Sequence, residues 1–188
     1  MIRRAGIQDI PQIGDIINSS AEYGLMLHRS LAFLYEHVRD FHVEVRQRKV
    51  VGVCGLSIVW ANMAELYALA VMPEFRGKGL GKRLVLSCVD EADELGIRKI
   101  MTLTYEQAFF AKCGFHVIDR AQLPMKVWSE CIRCSKNQAC DEIAMLRVLE
   151  DVPEVAVPRP YEPPPGSYEV PVVLKMSGVK RAKMDEAH

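Results

Sequence analysis

No stretch of about 18 consecutive apolar residues occurs in the 188-residue chain, which excludes a hydrophobic membrane-spanning helix. The opening Met1-Ile2-Arg3-Arg4 is not followed by the apolar core of a signal peptide, so the cytoplasm is the expected compartment. Net charge is also missing. Lys and Arg number 24 and so do Asp and Glu, so no global field would gather nucleic acid. Without an export signal, the six cysteines read as thiols or metal ligands rather than disulfides. What remains is an ordinary globular composition, 49% hydrophobic and 26% charged, sized for one domain around one core.

Against this even background one segment stands out. The apolar run Leu66 to Val71 ends at Pro73 like a buried strand, and Arg76-Gly77-Lys78-Gly79-Leu80-Gly81 then opens directly into a helical pattern. A strand, a basic glycine-rich turn and a helix make a cradle for phosphate. The glycines bring backbone N–H groups close to an anion, and the helix aims the positive end of its dipole at it. Arg76, Lys78, Lys82 and Arg83 add positive charge around the mouth, so a pyrophosphate is the expected ligand. Two common phosphate loops do not fit the spacing. Arg83 stands where the Walker pattern needs a hydroxyl for magnesium, and the third glycine of a dinucleotide loop is absent.

The rest of the first 120 residues alternates strand and helix patterns. Strands are expected at Ile2–Ala5, Phe41–Arg46, Val50–Trp60, Glu65–Val71, Lys99–Leu103 and Phe115–Ile118, the last closing the core. The second and third form a hairpin about Gln47-Arg48-Lys49. Helices are expected from Ile10 with Pro11 in the first turn, over Leu31–Val38, over Leu80–Leu95 with a stop at Gly96, and over Phe109–Cys113. Cys54 and Cys88 fall on apolar faces and read as core; Cys113, before Gly114, reads as either packing or a candidate nucleophile near the loop. Six prolines crowd residues 153–165, so 151–188 reads as an extended or partly disordered tail, with a strand-like pattern over Tyr168–Met176.

The Arg-x-x-Gly-x-Gly pattern of Arg76, Gly79 and Gly81 resembles the coenzyme A loop of the GNAT superfamily of N-acyltransferases. Ile2-Arg3-Arg4-Ala5 with Asp9-Ile10-Pro11, and Phe109-Phe110-Ala111-Lys112-Cys113-Gly114-Phe115, resemble its first strand and helix and its aromatic-x-x-x-Gly-Phe segment. Gly24-Leu25-Met26-Leu27-His28-Arg29-Ser30-Leu31, Trp128 to Cys134 and Cys140 to Met145 resemble a narrower group, the short stand-alone bacterial N-acetylglutamate synthases. The resemblance spans residues 1–150. It implies an α/β (α+β) GNAT fold, with a mixed, mainly antiparallel sheet flanked by helices and a splayed strand pair for acetyl-CoA.

It also implies roles. Leu69, Ala70 and Val71 would bind the pantetheine arm and polarise the thioester, and Arg76, Gly77, Lys78, Gly79, Leu80, Gly81 and Lys82 would hold the pyrophosphate, with Phe110 closing the cleft. Glu65 matches the glutamate that many members use to take the ammonium proton. Phe110 stands where a tyrosine often serves as general acid; Tyr105 replaces it in that role or simply packs. Leu27, Arg29 and Ser30 match the segment that grips the amino acid, where arginine's planar fork suits a carboxylate. His28 departs from the expected proline, and Tyr105 occupies the place of a second arginine of the larger synthases, so glutamate and glutamine both stay open as acceptors.

Acetyl transfer from acetyl-CoA to the α-amine of glutamate, the entry to arginine synthesis, is the reading this resemblance favours. Acetylation of glutamine, another amino acid or a peptide N-terminus is the alternative, and a non-catalytic acyl-CoA- or metal-binding regulatory module is the reading from another class. Cys131-x2-Cys134-x5-Cys140 is half a zinc pattern, which His116 or water would have to complete; no metal is expected to be required. Nucleic acid and membrane are not expected partners, and a homodimer stays open.

Overall fold

The computed structural model describes residues 1–123 and 141–155, which lie within the unit Met1–Ala156. The described strands are β1 (Ile2–Arg4), β2 (Phe41–Arg46), β3 (Lys49–Trp60), β4 (Met63–Val71), β5 (Lys99–Thr104), β6 (His116–Val117) and β7 (Ile143–Val148), in the sheet order β1-β2-β3-β4-β5-β7-β6. All neighbours run antiparallel except β4 and β5. The β2–β3 hairpin forms where expected, although Gln47 and Arg48 both adopt positive φ without the usual Asn or Gly. The pattern of the strands, rather than turn chemistry, fixes that hairpin.

Helices α1 (Ile10–Ala21) and α2 (Leu31–Glu36) cover one face, where Ile10, Ile13, Ile17 and Leu34 bury completely against Phe41, Val43 and Val53. Helix α3 (Leu80–Glu94) covers the other, packing Leu80, Leu84, Val85 and Cys88 on Val51, Cys54, Leu56 and Leu66. Each such side chain contributes about 1.5–3 kcal/mol by leaving water. The short α4 (Gln107–Ala111) follows β5. Cys54 and Cys88 are core residues, as their faces suggested. One expectation is corrected: Phe115–Ile118 is not the last strand. β7 follows it and inserts between β5 and β6, pairing with both.

A buried polar clamp ties the sheet to α3. His42 of β2 lies 2.6 Å from Ser87 Oγ and 2.6 Å from Glu91 Oε2, and Arg4 of β1 reaches the other Glu91 oxygen at 2.5 Å. A second clamp starts α1. Asp9, 4% exposed, accepts two hydrogen bonds from Arg3, at 2.6 and 3.0 Å, and one from the Gly6 N–H at 2.7 Å.

The Arg3 hydrogen bond holds the Asp9 carboxyl below the usual aspartate range, against the opposing pull of burial. Replacing Asp9 by Asn should lower unfolding stability by about 1–3 kcal/mol at neutral pH. Because the folded pKa is depressed, this contribution is complete above the unfolded value near 4 and disappears as pH falls through the folded one. Denaturant titrations of Asp9→Asn and wild type should therefore converge in acid; a gap independent of pH would place the effect in packing instead.

Candidate functional site

The cleft exists because β4 and β5 stop pairing. Their parallel ladder consists of Met63 with Lys99, Ala64 with Ile100 and Glu65 with Met101. Beyond Glu65 the strands part, and Leu66–Val71 line one wall of a cleft of about 790 Å³ while Thr102–Tyr105 line the other. β4 keeps its ladder with β3 on the far side, but with a slip. Val53 pairs with Ala70 and Gly55 with Tyr67, so β4 carries one extra residue, and Ala68 takes up the strain at φ 52°. Beyond Glu65, the edge of β4 that faces the cleft pairs with no strand among the described residues. Backbone polar groups on such an edge can hold an extended amide chain and polarise a carbonyl without any side chain.

At the end of β4 the chain makes the turn Pro73–Phe75 and enters the glycine loop. Gly77 and Gly79 sit at φ 73° and 74°, conformations that strain any L side chain, and Gly79 caps α3. A Cβ on Gly81 would meet the Phe109 ring at 3.4 Å, an ordinary van der Waals contact. Arg76 folds back to donate to the Val71 carbonyl at 2.9 Å, and Lys78 donates to the Glu74 carbonyl at 3.1 Å. Lys82 faces the cleft, whereas Arg83 turns away to Glu44 at 3.1 Å. The four charges read from the sequence thus divide: Arg76 and Lys78 brace the loop, Arg76 and Lys82 line the cleft, and Arg83 anchors α3 to β2.

The other half of the cleft is built by the segment between α1 and α2. Leu27 and Arg29 line it. Arg29 is fixed through its backbone, because Asn18 of α1 accepts from the Arg29 N–H and donates to its carbonyl, both at 2.9 Å. Its guanidinium rests 4.3 Å from the Phe33 ring centroid, and Phe33 in turn stacks on His37. Ser30 does not line the cleft; its hydroxyl caps α2 by accepting from Phe33 N–H. Tyr105 and Phe110 both line it, Phe110 locked edge-on between Phe109 and Phe115. Glu65 stands at the last β4–β5 pair and is not among the lining residues.

Cys113 also lines the cleft, but burial pushes its thiol up despite the nearby Lys82 and Arg147, which disfavours the thiolate a nucleophile needs. Cys131, Cys134 and Cys140, Trp128 and the strand-like 168–176 lie outside the described residues. Among the described residues, no cluster of three or more His, Cys, Asp or Glu side chains could hold a metal ion, and no helix is long and apolar enough to cross a membrane. Sequence reading missed Ala68, Asn18 and Tyr67. Ala68 and Asn18 carry no local signal, since one depends on strand register and the other on a contact 11 residues away.

Residues 12–115 match the acetyltransferase (GNAT) family, and the chain belongs to that family. A Chlorobaculum tepidum N-acetyltransferase of uncharacterised function is 37% identical over 148 residues, covering 79% of this chain and 96% of its own. The amino-acid acetyltransferase of Mycobacterium tuberculosis is 32% identical over 136 residues, 71% of this chain and 78% of its own. Among solved structures, a Mycobacterium tuberculosis protein in complex with CoA superposes with a TM-score of 0.70 at 29% identity, covering 79% of this chain and 99% of that one. N-acetylglutamate synthase of Neisseria gonorrhoeae, complexed with coenzyme A and N-acetyl-glutamate, gives 0.72 at 28%, over 79% of this chain and 35% of the synthase. The chain is therefore an acetyltransferase with acetyl-CoA as its co-substrate, related to amino-acid acetyltransferases, and its splayed strands and glycine loop fit that ligand.

Replacing Gly79 by Ala should strain the left-handed loop by about 1–2 kcal/mol and weaken CoA binding by about tenfold. Calorimetric titration with CoA checks this, with Asn18→Ala as the contrast. That variant should leave CoA affinity unchanged, because its contacts lie in the other half of the cleft.

Proposed function

We propose that the chain acetylates the α-amine of an amino acid, L-glutamate being the first candidate. The carrying observation is Arg29, fixed at its backbone by Asn18 and at its side chain by Phe33, lining a cleft whose other half fits acetyl-CoA. A fixed guanidinium recognises a carboxylate in two-point geometry, and an α-amino acid presents its nucleophile two bonds away from that carboxylate. The relatives named amino-acid acetyltransferase and the synthase complexed with N-acetyl-glutamate support the same class of acceptor.

In this reading the β4 backbone around Ala68 to Val71 polarises the thioester carbonyl, and Arg29 with Leu27 orients the acceptor. Glu65, which is not among the lining residues, takes the ammonium proton through water, and Tyr105 protonates the departing thiolate. Ser30 contributes by capping the helix that carries Phe33. Glutamine is the second candidate. What favours it is Tyr105 at the end of β5, in the place that a second arginine occupies in the larger synthases; a tyrosine hydroxyl pairs with an amide as readily as with a carboxylate.

Thiol release from acetyl-CoA, screened across free amino acids, should show turnover with glutamate or glutamine above all others. CoA binding without turnover on any amine would point to a regulatory module. Changing Arg29 to Ala should raise KM for the amino acid by about tenfold or more and leave acetyl-CoA affinity alone. Glu65→Gln should cost most activity below neutral pH, where the acceptor is an ammonium; a loss that is the same at every pH would make Glu65 structural.

A further inference from the structure

Tyr67 leaves β4 one residue before the bulge, and the fold makes an unusual allowance for it. Its ring lies over Gly55 of β3, where any Cβ would come within 2.6 Å of the ring, and it tilts against Phe41 at 5.5 Å between centroids. Its hydroxyl donates to Asp40 Oδ2 at 3.1 Å, in the turn Val38–Asp40 that leads into β2. Tyr67 also lines the cleft, as Arg29 does, and the Arg29 charge acts on the phenol.

A phenol has one proton to give and lone pairs to receive. Here the proton is committed to Asp40, so a lone pair is what the hydroxyl has left to offer a ligand. An arriving α-ammonium has only donors. We propose that the Tyr67 hydroxyl accepts a hydrogen bond from the α-nitrogen of the amino acid whose carboxylate Arg29 holds, and that Asp40 is the positioning residue that keeps the phenol proton turned away from the cleft. This inference rests on the amino-acid reading above. Two fixed points would then define the acceptor, a cation for its carboxylate and an oxygen for its nitrogen, with the nucleophile presented beside the bulged backbone. Burial favours the neutral phenol, so the hydroxyl has a proton to give Asp40.

Tyr67→Phe removes the oxygen and keeps the ring in its Gly55 recess. It should raise KM for the amino acid about tenfold while leaving CoA affinity unchanged. Asp40→Ala should shift KM the same way in the wild-type background but add nothing to Tyr67→Phe, because Asp40 acts through the hydroxyl. Asp40→Asn retains an acceptor oxygen and should restore most of the loss. An unchanged KM in Tyr67→Phe, or an equal cost of Asp40→Ala with and without the hydroxyl, would overturn the proposal while wild-type turnover upheld the amino-acid reading. A wild-type protein that binds CoA but turns over no amino acid would overturn both.

Discussion

Everything at this site depends on β4 and β5 pairing for only three residues and then separating. A parallel pair that continued would satisfy its own backbone and leave no cleft. By parting, it leaves one edge of β4 without a strand partner among the described residues, which backbone polar groups tolerate only where water or a ligand can reach them. The extra residue at Ala68 adjusts the register at the place where the ladder is lost, so β4 stays bonded to β3 while its other edge faces the cleft. The other site elements are arranged around that edge. α3 approaches β3 closely enough that a Cβ on Gly52 would touch Leu80 and Leu84 at 3.0 Å, and this close packing holds the helix N-terminus beside the end of β4.

The two halves of the cleft are fixed by different physics. The cofactor half uses backbone conformation: left-handed glycines, a helix start, and arginine and lysine side chains folded onto loop carbonyls. The other half uses side-chain contacts, Asn18 and Phe33 to Arg29 and Tyr67 to Asp40. A backbone cradle recognises phosphate wherever it occurs. Side-chain pairs can be exchanged one at a time, so a site built from them can change specificity while the fold stays constant.

This division also explains what the sequence disclosed. Glycine spacing after a strand is local, so the cofactor loop was legible, and so were the strands and helices that position it. The parting of β4 and β5 is a property of register and leaves no mark in either strand. β7 went unread because its six residues, Ile143–Val148, are short and two-sided, half-buried along much of their length, and follow a segment without periodicity. Likeness in sequence carried Ser30, Lys78 and Glu65 to the neighbourhood of the cleft, yet none of the three lines it. Ser30 caps α2, Lys78 braces the loop and Glu65 stands where the ladder ends. A motif fixes where the backbone passes; which side chains face the ligand depends on packing that the motif does not contain.

Arg83 shows the same distinction in charge. On sequence it belongs with Arg76, Lys78 and Lys82 at the phosphate mouth, but it bonds Glu44, a carboxylate 2% exposed that also meets Arg46 at 3.2 Å. A buried carboxylate without such partners would be strongly destabilising, so Arg83 is held by β2 rather than by a ligand. With His42, Ser87 and Glu91 further along, α3 is joined to β2 by polar contacts at two heights, one near its start and one toward its end. Hydrophobic packing alone would let the helix slide or rotate by fractions of a turn. Directional contacts at two heights fix its rotation, and with it the direction in which its first N–H groups face the cleft. The phosphate cradle therefore depends on residues that never touch phosphate.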